Sequence, residues 1–371
     1  MNKVFSTKIS HLEKSVIRDI FDRAPESSVN LGLGMVQFPF PEELRNEAKI
    51  ILEKTQHFHY SPNAGLAELR LQISSYYNNR FNYKQTCITN GAEEALYVVI
   101  NSLVNKGDLV LLANPYFSAY KTISKISGAR TYHFSTHLSD NFFAREVFLN
   151  AIKKKPKCII LNHPLNPTGQ AFSESDIRFI LTQCKKYNVI PIIDEVYLDL
   201  YLEERIPSFS EFSDDVIIIS SLSKSYLIAG WRLGWIAGPQ KFIDKFILLH
   251  QYIATCAPLI SQKLAISTLK KFREEIPAKI RGDSKKNKNA LIAILNKHKI
   301  EYVESDAAPY LFIKIDQDSY NFAQKLLDKK IIVMPGIAFG HNLNNWIRLN
   351  YTISRNILTE STNKIINELG L

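Results

Sequence analysis

The amino-acid sequence predicts an α/β fold in which a mostly parallel sheet is flanked by helices and joined to a smaller α+β domain. Between about residues 66 and 240, short runs rich in Val and Ile alternate with amphipathic segments of about 10 to 15 residues. This alternation is typical of a parallel sheet, because parallel strands need a crossover connection that is usually a helix. The 371 residues suffice for about two domains.

Each element of this region follows from its hydrophobic period. The helical period is present at Leu66–Asn79, Glu93–Val104, Phe143–Lys154 and Glu174–Tyr187. The predicted strands are short β-branched runs at Thr86–Thr89, Leu109–Leu112, Thr131–Phe134, Cys158–Leu161, Val189–Ile193 and Val216–Ile219. We therefore expect one sheet covered by helices.

The remainder of the chain predicts a smaller unit. One long helical region runs from Pro239 to about Lys271 and could separate two domains. Beyond it, the predicted strands are Leu311–Ile315, Ile331–Met334 and Trp346–Asn350, and the predicted helices are Tyr320–Lys329 and a last one from about Arg355. We expect an N-terminal arm and part of the small domain in residues 1–45, a large domain in 46–270, and the small C-terminal domain in 271–371.

Composition excludes several classes of function. The net charge is +10, but the basic residues are scattered and lack interleaved aromatic residues, so we expect no nucleic-acid partner. No apolar run could span a bilayer, and the N-terminus has no signal-peptide core, so we expect neither a membrane partner nor export. The four cysteines are far apart and form no CxxC pair, which predicts reduced thiols, no bound metal and a cytoplasmic location.

Polar residues follow four of the predicted strands at the point where each strand ends. These loops are Thr89–Glu94, Asn162–Gly169, Asp194–Tyr197 and Ser221–Lys224. In an open α/β sheet, ligands bind beyond the carboxyl ends of the strands. The four loops therefore predict one site at one edge of the sheet.

One of these loops is suited to binding an anion. Gly91, Ala92 and Glu93 open a predicted helix, whose free backbone N–H groups and positive dipole end attract negative charge. Ser221, Ser223 and Arg232 could complete a phosphate site, since an arginine can bind a phosphate through two charge-assisted hydrogen bonds. A glycine in an ordinary turn before a helix is the alternative interpretation.

The other loops carry residues with more than one interpretation. Asp194 ends an apolar strand, where a carboxylate is costly to bury unless it caps a helix or meets a cation. Lys224 could be that cation, but lysine is also the residue that forms Schiff bases. Asn166 lies between two prolines, which a rigid turn alone would explain.

The chain carries these residues within a series of motifs whose order resembles that of the class I and II aminotransferases. These are fold type I enzymes that depend on pyridoxal 5′-phosphate (PLP). The resemblance covers nearly the whole chain. Its motifs are L-G-x-G at Leu31–Gly34, Y-x-x-x-x-G at Tyr60–Gly65, N-G-A-E-E-A-L at Asn90–Leu96, P-x-F at Pro115–Phe117, N-x-P-x-N-P-T-G at Asn162–Gly169, D-E-x-Y at Asp194–Tyr197, S-x-S-K at Ser221–Lys224 with an arginine eight residues later, P-G-x-x-F-G at Pro335–Gly340, and R-L-N-Y at Arg348–Tyr351.

The resemblance implies the residues that act on the cofactor ring. Lys224 would bind PLP covalently and move the proton, and Asp194 would pair with the ring nitrogen, which makes the ring an electron sink. Tyr197 and Asn166 would hydrogen-bond the ring hydroxyl, and Phe117 would stack on the ring. Lys224, Asp194 and Tyr197 are thus the expected catalytic residues.

The resemblance also implies how the phosphate and the substrate are held. The phosphate would be bound at the Gly91 turn through Ala92 and Glu93, with Ser221, Ser223 and Arg232. Tyr60 would reach the phosphate of a neighbouring subunit, which implies a homodimer. Arg348 would bind the α-carboxylate of the substrate, with Gly34 and Asn166 nearby.

The implied reaction is transfer of an amino group from an amino acid to a 2-oxo acid by a ping-pong mechanism. A PLP-dependent lyase, decarboxylase or cyclising enzyme with the same fold is the alternative, since the cofactor supports all of these reactions. A PLP-sensing regulator is a further alternative, but only about 30 residues precede the Leu31–Gly34 motif, too few for a DNA-binding domain. Residues 35–38 depart from the family pattern, which leaves the preferred substrate open.

Overall fold

A computed structural model describes residues 5–6, 8–10, 12–139 and 141–371. The predicted N-terminal arm therefore falls partly outside the described residues. The twelve α-helices are α1 Val16–Arg23, α2 Glu42–Lys54, α3 Ala67–Tyr76, α4 Ala92–Leu103, α5 Ser118–Ile126, α6 Arg145–Ile152, α7 Glu174–Tyr187, α8 Gln240–Ala254, α9 Leu259–Lys271, α10 Glu275–Lys297, α11 Ser319–Asp328 and α12 Arg355–Leu369, counted over this part of the chain.

The thirteen strands of the described ranges form three sheets. They are β1 Val29–Asn30, β2 Thr86–Thr89, β3 Leu109–Asn114, β4 Arg130–Ser135, β5 Cys158–Asn162, β6 Ile190–Asp194, β7 Ile217–Ser221, β8 Gly234–Ala237, β9 Tyr302–Val303, β10 Tyr310–Lys314, β11 Ile331–Ile332, β12 Met334–Pro335 and β13 Trp346–Asn350.

The main sheet has seven strands in the order β2-β8-β7-β6-β5-β3-β4. Five neighbouring strands, β4, β3, β5, β6 and β7, are parallel to one another, and β8 runs antiparallel to both β2 and β7. The prediction of a mostly parallel sheet flanked by helices is therefore confirmed. The six predicted strands are all present, whereas β8, a strand of four residues that begins with a glycine, was not predicted.

Both faces of the main sheet are buried, which explains why its strands read as continuous apolar runs. In β7, Ile218 points into the core on one face, while Ile217 and Ile219 point into the core on the other face. All three side chains are fully buried. The alternation of strand side chains thus distributes one Ile run between two layers of helices.

The single long helix predicted from Pro239 to Lys271 was wrong. The chain forms two helices there, and α8 ends at Ala254 while α9 begins at Leu259. Thr255 adopts a positive φ of 64°, and Pro258 precedes α9, where its fixed φ suits the start of a helix. The helices α1, α2, α5 and α10 were also not predicted.

A second core packs around the small antiparallel sheet β12-β13-β10-β9. N-terminal residues contribute to it, since Ile20 and Leu31 are fully buried there, and β1 pairs with β11. The long helix α10 contacts both cores, with Ile276 in the large one and Leu291 in the small one. Because α10 is shared in this way, the division at residue 271 stays a prediction.

The parallel strands bring the polar loops to one edge of the sheet. Strands β5, β6 and β7 are neighbours and run in the same direction, so the loops after Asn162, Asp194 and Ser221 begin side by side. No helix within the described ranges is both long and apolar enough to cross a membrane.

A glycine on β8 is required by close backbone packing, which generates a testable prediction. A β-carbon at Gly234 would lie 2.6 Å from the carbonyl carbon of Gly91 and 2.7 Å from the nitrogen of Ala92, both rigid backbone atoms. We expect Gly234→Ala to lower the free energy of unfolding by about 1 to 3 kcal/mol, which is the usual cost of overpacking. Urea denaturation measures this difference. Gly230→Ala is the matched control, because a β-carbon there meets no atom within 4 Å. Equal urea midpoints for the two variants would contradict the packing argument.

Candidate active site

Lys224 lies in the loop that follows β7, and its side chain reaches the N-terminal segment that contains Gly34. Its Nζ donates a hydrogen bond of 2.5 Å to the carbonyl oxygen of Gly34. Burial lowers the pKa of Lys224 to about 8, and the positive charge of Arg348 acts in the same direction. A larger share of this amine is therefore neutral near physiological pH than is usual for lysine.

Asp194 ends β6, and its buried carboxylate accepts a hydrogen bond at each of its two oxygens. Its Oδ2 accepts a hydrogen bond of 2.6 Å from the Tyr120 hydroxyl, and its Oδ1 accepts one of 3.3 Å from the Val196 nitrogen. Burial raises the pKa of Asp194 to about 6, although both hydrogen bonds and the charge of Lys224 lower it. Lys224 and Asp194 form no direct ion pair, so that sequence-based interpretation of Lys224 was wrong.

The predicted anion site lies where α4 begins. Its N-cap residue Gly91 has a φ of 91° and supplies no side-chain cap, which leaves the first backbone N–H groups free of side-chain acceptors. The guanidinium of Arg232 lies against this glycine, where a β-carbon would fall 2.6 Å from Arg232 Nη2. Ala92 and Glu93 form the first turn of the helix, and the Glu93 side chain is exposed.

Arg232 is held in place by carbonyl groups. Its Nη1 donates to the carbonyl of Ala229 at 3.0 Å, and its Nη2 donates to that of Asn90 at 3.1 Å. Ser221 at the end of β7 and Ser223 in the loop after it are both buried, and the Ser223 nitrogen donates to Ser221 Oγ at 3.4 Å. The N-terminus of α4 and the Arg232 guanidinium thus lie together. The hydroxyls of Ser221 and Ser223 belong to the segment that leads from β7 to Arg232.

Arg348 is a buried cation in the middle of β13. Only 2% of its surface is exposed, and its guanidinium carbon lies 4.0 Å from the ring centroid of Tyr310 and 4.6 Å from that of Phe339. Its Nη1 donates to Asn166 Oδ1 at 2.6 Å, and its Nη2 donates to the carbonyl of Gly32. Its Nε is buried without a hydrogen-bond partner, and no carboxylate of the described residues pairs with this arginine.

Asn166 connects Arg348 to the loops of the main sheet. Its backbone nitrogen donates to Asn162 Oδ1 at 2.8 Å, and Asn162 Nδ2 donates to the carbonyl of Asp194 at 2.8 Å. The turn after β5 is thereby attached to the end of β6. The rigid turn expected from the prolines is present, and its asparagine side chain faces the guanidinium.

Two aromatic residues named from the sequence lie beside this group. The Tyr197 hydroxyl is 2.8 Å from the Tyr310 hydroxyl, and both rings are buried. Phe117 is half-buried and directly precedes α5, where its ring meets the edge of Tyr120 with the centroids 5.7 Å apart. In contrast, Tyr60 is 86% exposed, and its side chain lies on the surface rather than in this site.

Three residues of the site were not found from the sequence, namely Tyr120, Tyr310 and Phe339. Tyr120 lies on α5 three residues after Phe117, the N-cap of that helix, and this spacing brings the two side chains together, but the helix itself was not predicted. Tyr310 begins β10 and Phe339 lies in the P-G-x-x-F-G motif. The motif is a local signal for Phe339, although no role was assigned to it, whereas the contact of Tyr310 with Arg348 joins separate parts of the chain and has no local signal.

The residues present fit PLP. A phosphate matches the helix N-terminus beside Arg232, an amine with a lowered pKa matches an aldehyde, and a buried carboxylate matches a protonated pyridine nitrogen. The free Nε of buried Arg348 adds a place for a second anion. This set of groups is difficult to explain by folding alone, since each buried charge costs stability.

Comparisons with known proteins agree with this fit. Residues 26–365 match the family model for "Aminotransferase class I and II". A probable aspartate aminotransferase of Methanocaldococcus jannaschii is 32% identical over 94% of this chain and 95% of its own length. An aromatic-amino-acid aminotransferase of Thermococcus litoralis is 26% identical over 97% of both chains. The crystal structure of the Thermotoga maritima aspartate aminotransferase superposes with a TM-score of 0.89 and 27% identity, covering 99% of this chain and 100% of that one.

The fold, the group of buried charges and the match over most of the chain lead to one conclusion. The reaction is PLP-dependent transfer of an amino group between an amino acid and a 2-oxo acid. The chain belongs to the class I and II aminotransferase family.

Proposed function

We propose that the buried charges around Arg348 form the active site of this aminotransferase, which works by a ping-pong mechanism. The observation that carries the proposal is the Arg348 guanidinium, which is buried with its Nε unpartnered and with no carboxylate partner in the described ranges. Arginine pairs with carboxylates through two parallel hydrogen bonds. The α-carboxylate that every amino acid and 2-oxo acid substrate carries would supply the missing partner.

The cofactor would be held by the residues named from the sequence. When bound, PLP supplies an aldehyde that reacts with amines and a ring that withdraws electrons from the α-carbon of the substrate. Ala92 and Glu93 would bind the phosphate through their backbone N–H groups beside the Gly91 cap, with Ser221, Ser223 and Arg232. Phe117, Asn166 and Tyr197 would contact the ring.

Lys224 is proposed as the covalent anchor and as the base. Its lowered pKa of about 8 leaves a useful fraction of Nζ neutral near physiological pH, so this atom can accept the α-proton of the substrate and later return it. Arg348 helps Lys224 to act as a base, because its positive charge disfavours protonation of Lys224. One arginine would thus bind the substrate and prepare the base.

Asp194 is proposed to face the ring nitrogen. Its carboxylate is already oriented by Tyr120 and by the Val196 nitrogen, so little reorganisation is needed when a cation arrives. A protonated ring nitrogen would provide the counter-charge that the buried carboxylate lacks. The role of Tyr120 is then to hold Asp194 in the orientation that this pairing requires.

We propose a homodimer in which Tyr60 completes the site of the partner subunit. Three large aromatic side chains on neighbouring segments are unusually exposed. The exposed fraction is 86% for Tyr60, 78% for Tyr252 and 62% for Phe58. The Asn63 side chain donates to the carbonyl of Thr255 at 2.7 Å and thereby joins the segment of Tyr60 to the end of α8. A second copy of the chain would cover this aromatic surface.

The domain division and the location are part of the proposal. The domains would be residues 46–270 and 271–371, with residues 1–45 as an arm and part of the small domain, since Ile20 packs in the small core. All four cysteines are free thiols, as is usual in a reducing compartment. This supports the cytoplasm as the location.

The role of Lys224 is tested by labelling. We expect the purified enzyme to absorb visible light, and borohydride followed by peptide mass spectrometry to find the cofactor on Lys224. Lys224→Ala should lower turnover by at least about 10²- to 10⁴-fold, since a positioned base contributes that much. Lys288→Arg changes another buried lysine and should keep the visible band. A label on a different lysine, or ammonia or carbon dioxide as the main product, would overturn the assignment.

The role of Arg348 is tested by removing one side of the proposed contact at a time. Arg348→Lys keeps the charge but loses the paired geometry, and we expect kcat/KM for amino acids to fall about 10²-fold. With an amine that lacks the carboxylate, wild type and variant should react at similarly slow rates, because the contact no longer exists. The idea fails if the variant loses the same factor with both substrates.

The shared site is tested with mixed dimers. In a hybrid of one Tyr60→Phe subunit and one Lys224→Ala subunit, a tyrosine supplied in trans leaves one complete site and one doubly defective site. We expect that hybrid to retain PLP in one site with wild-type affinity, whereas the Tyr60→Phe homodimer should bind it about 10- to 100-fold more weakly. A fully active monomer, or a hybrid with no site of normal affinity, would contradict the proposal.

A further inference from the structure

Tyr310 connects two residues of the proposed site that have different tasks. Its hydroxyl is 2.8 Å from the Tyr197 hydroxyl, and the two ring planes meet at 77° with their centroids 5.5 Å apart. The face of the same ring lies 4.0 Å below the guanidinium carbon of Arg348. One fully buried side chain therefore contacts a group assigned to the cofactor and the group assigned to the substrate.

The space around the Tyr310 hydroxyl is fitted to it. A β-carbon at Gly34 would overlap the Tyr310 hydroxyl oxygen and approach that of Tyr197 to 3.5 Å. The loop that carries Gly34 is held by Asn350, whose Nδ2 donates to the carbonyls of Leu33 and Met35 at 2.7 Å each. A glycine in a fixed loop thus leaves room for the pair of phenols.

The contact of Arg348 with the ring of Tyr310 favours one direction of hydrogen bonding. Burial raises the pKa of both tyrosines, so both phenols stay protonated, and the charge of Arg348 lowers the pKa of each. Asp194 acts in the opposite direction on both. A cation held against the Tyr310 ring draws electron density from it and makes its hydroxyl a better donor. The 2.8 Å distance allows either hydroxyl to donate; with Tyr310 as the donor, Tyr197 accepts this bond and keeps its own proton for another acceptor.

We infer that Tyr310 is a positioning residue that orients the Tyr197 phenol toward the cofactor and transmits the state of Arg348 to it. The inference rests on the roles proposed above for Tyr197 and Arg348. When a substrate carboxylate neutralises Arg348, the Tyr310 hydroxyl becomes a weaker donor and Tyr197 in turn becomes a weaker donor to the cofactor. Occupation of the carboxylate site would thereby act on the cofactor through Tyr310, in addition to the contact of Arg348 with Asn166.

The test is a pH titration of the visible absorption band of the PLP-loaded enzyme. A weaker donor at Tyr197 raises the pH midpoint of this band, because the deprotonated chromophore is stabilised less. We expect Tyr310→Phe to raise the midpoint by about 0.4 to 1.1 pH units, the equivalent of one net hydrogen bond. Saturating propionate, an unreactive carboxylate, should raise the midpoint of wild type more than that of the variant.

Two controls separate this role from a structural one. Tyr351→Phe removes another buried hydroxyl, which donates to the carbonyl of Ala308, and should leave the midpoint unchanged. In the Tyr197→Phe background, Tyr310→Phe should add no further shift, because the relay is already interrupted. If Tyr310→Phe does not fold, Gly34→Ala displaces the same hydroxyl and should give the same upward shift.

The outcomes distinguish this inference from the proposed function. A midpoint equal to that of wild type in Tyr310→Phe, or full additivity with Tyr197→Phe, overturns the relay and leaves the proposed site intact. If the Lys224→Ala variant keeps the visible band of the wild type, the proposed site is wrong and the relay fails with it.

Discussion

The burial of the Arg348 guanidinium between two aromatic rings is the constraint on which the rest of the site depends. Its hydrogen bonds to Asn166 and Gly32 join the small sheet to a loop of the main sheet and to the N-terminal segment. Its charge lowers the pKa of Lys224, and its ring contact fixes Tyr310. A buried cation costs several kcal/mol without a counter-charge, and in the proposed function the substrate carboxylate would supply that counter-charge.

The positions of the residues at the strand ends could be predicted from the sequence for a simple reason. Parallel strands end at the same edge of a sheet, so Asp194 and Lys224 had to lie near each other once the strands before them were recognised. The apolar runs that identify those strands are long because both faces of the sheet are buried. Local pattern and global fold agree here, and the motif order then supplied the chemistry.

What the sequence did not reveal depends on contacts between distant segments. Tyr310 meets Tyr197 and Arg348 only because β10 pairs with β13 in the small sheet. The interruption between α8 and α9 depends on a positive φ at Thr255, a conformation that threonine rarely adopts and no local pattern announces. The ion pair of Lys224 with Asp194, one of the interpretations that the sequence left open, is not formed, and the carboxylate accepts a hydrogen bond from Tyr120 on a helix that was not predicted.

The buried charges of Asp194 and Arg348 have a consequence for the life of the enzyme in a cell. A protein with uncompensated charges in its interior gains stability from any small molecule that neutralises them, by about 2.7 kcal/mol when that molecule is present at 100 times its dissociation constant. The supply of vitamin B6 would then govern how long the polypeptide survives proteolysis as well as how fast it works.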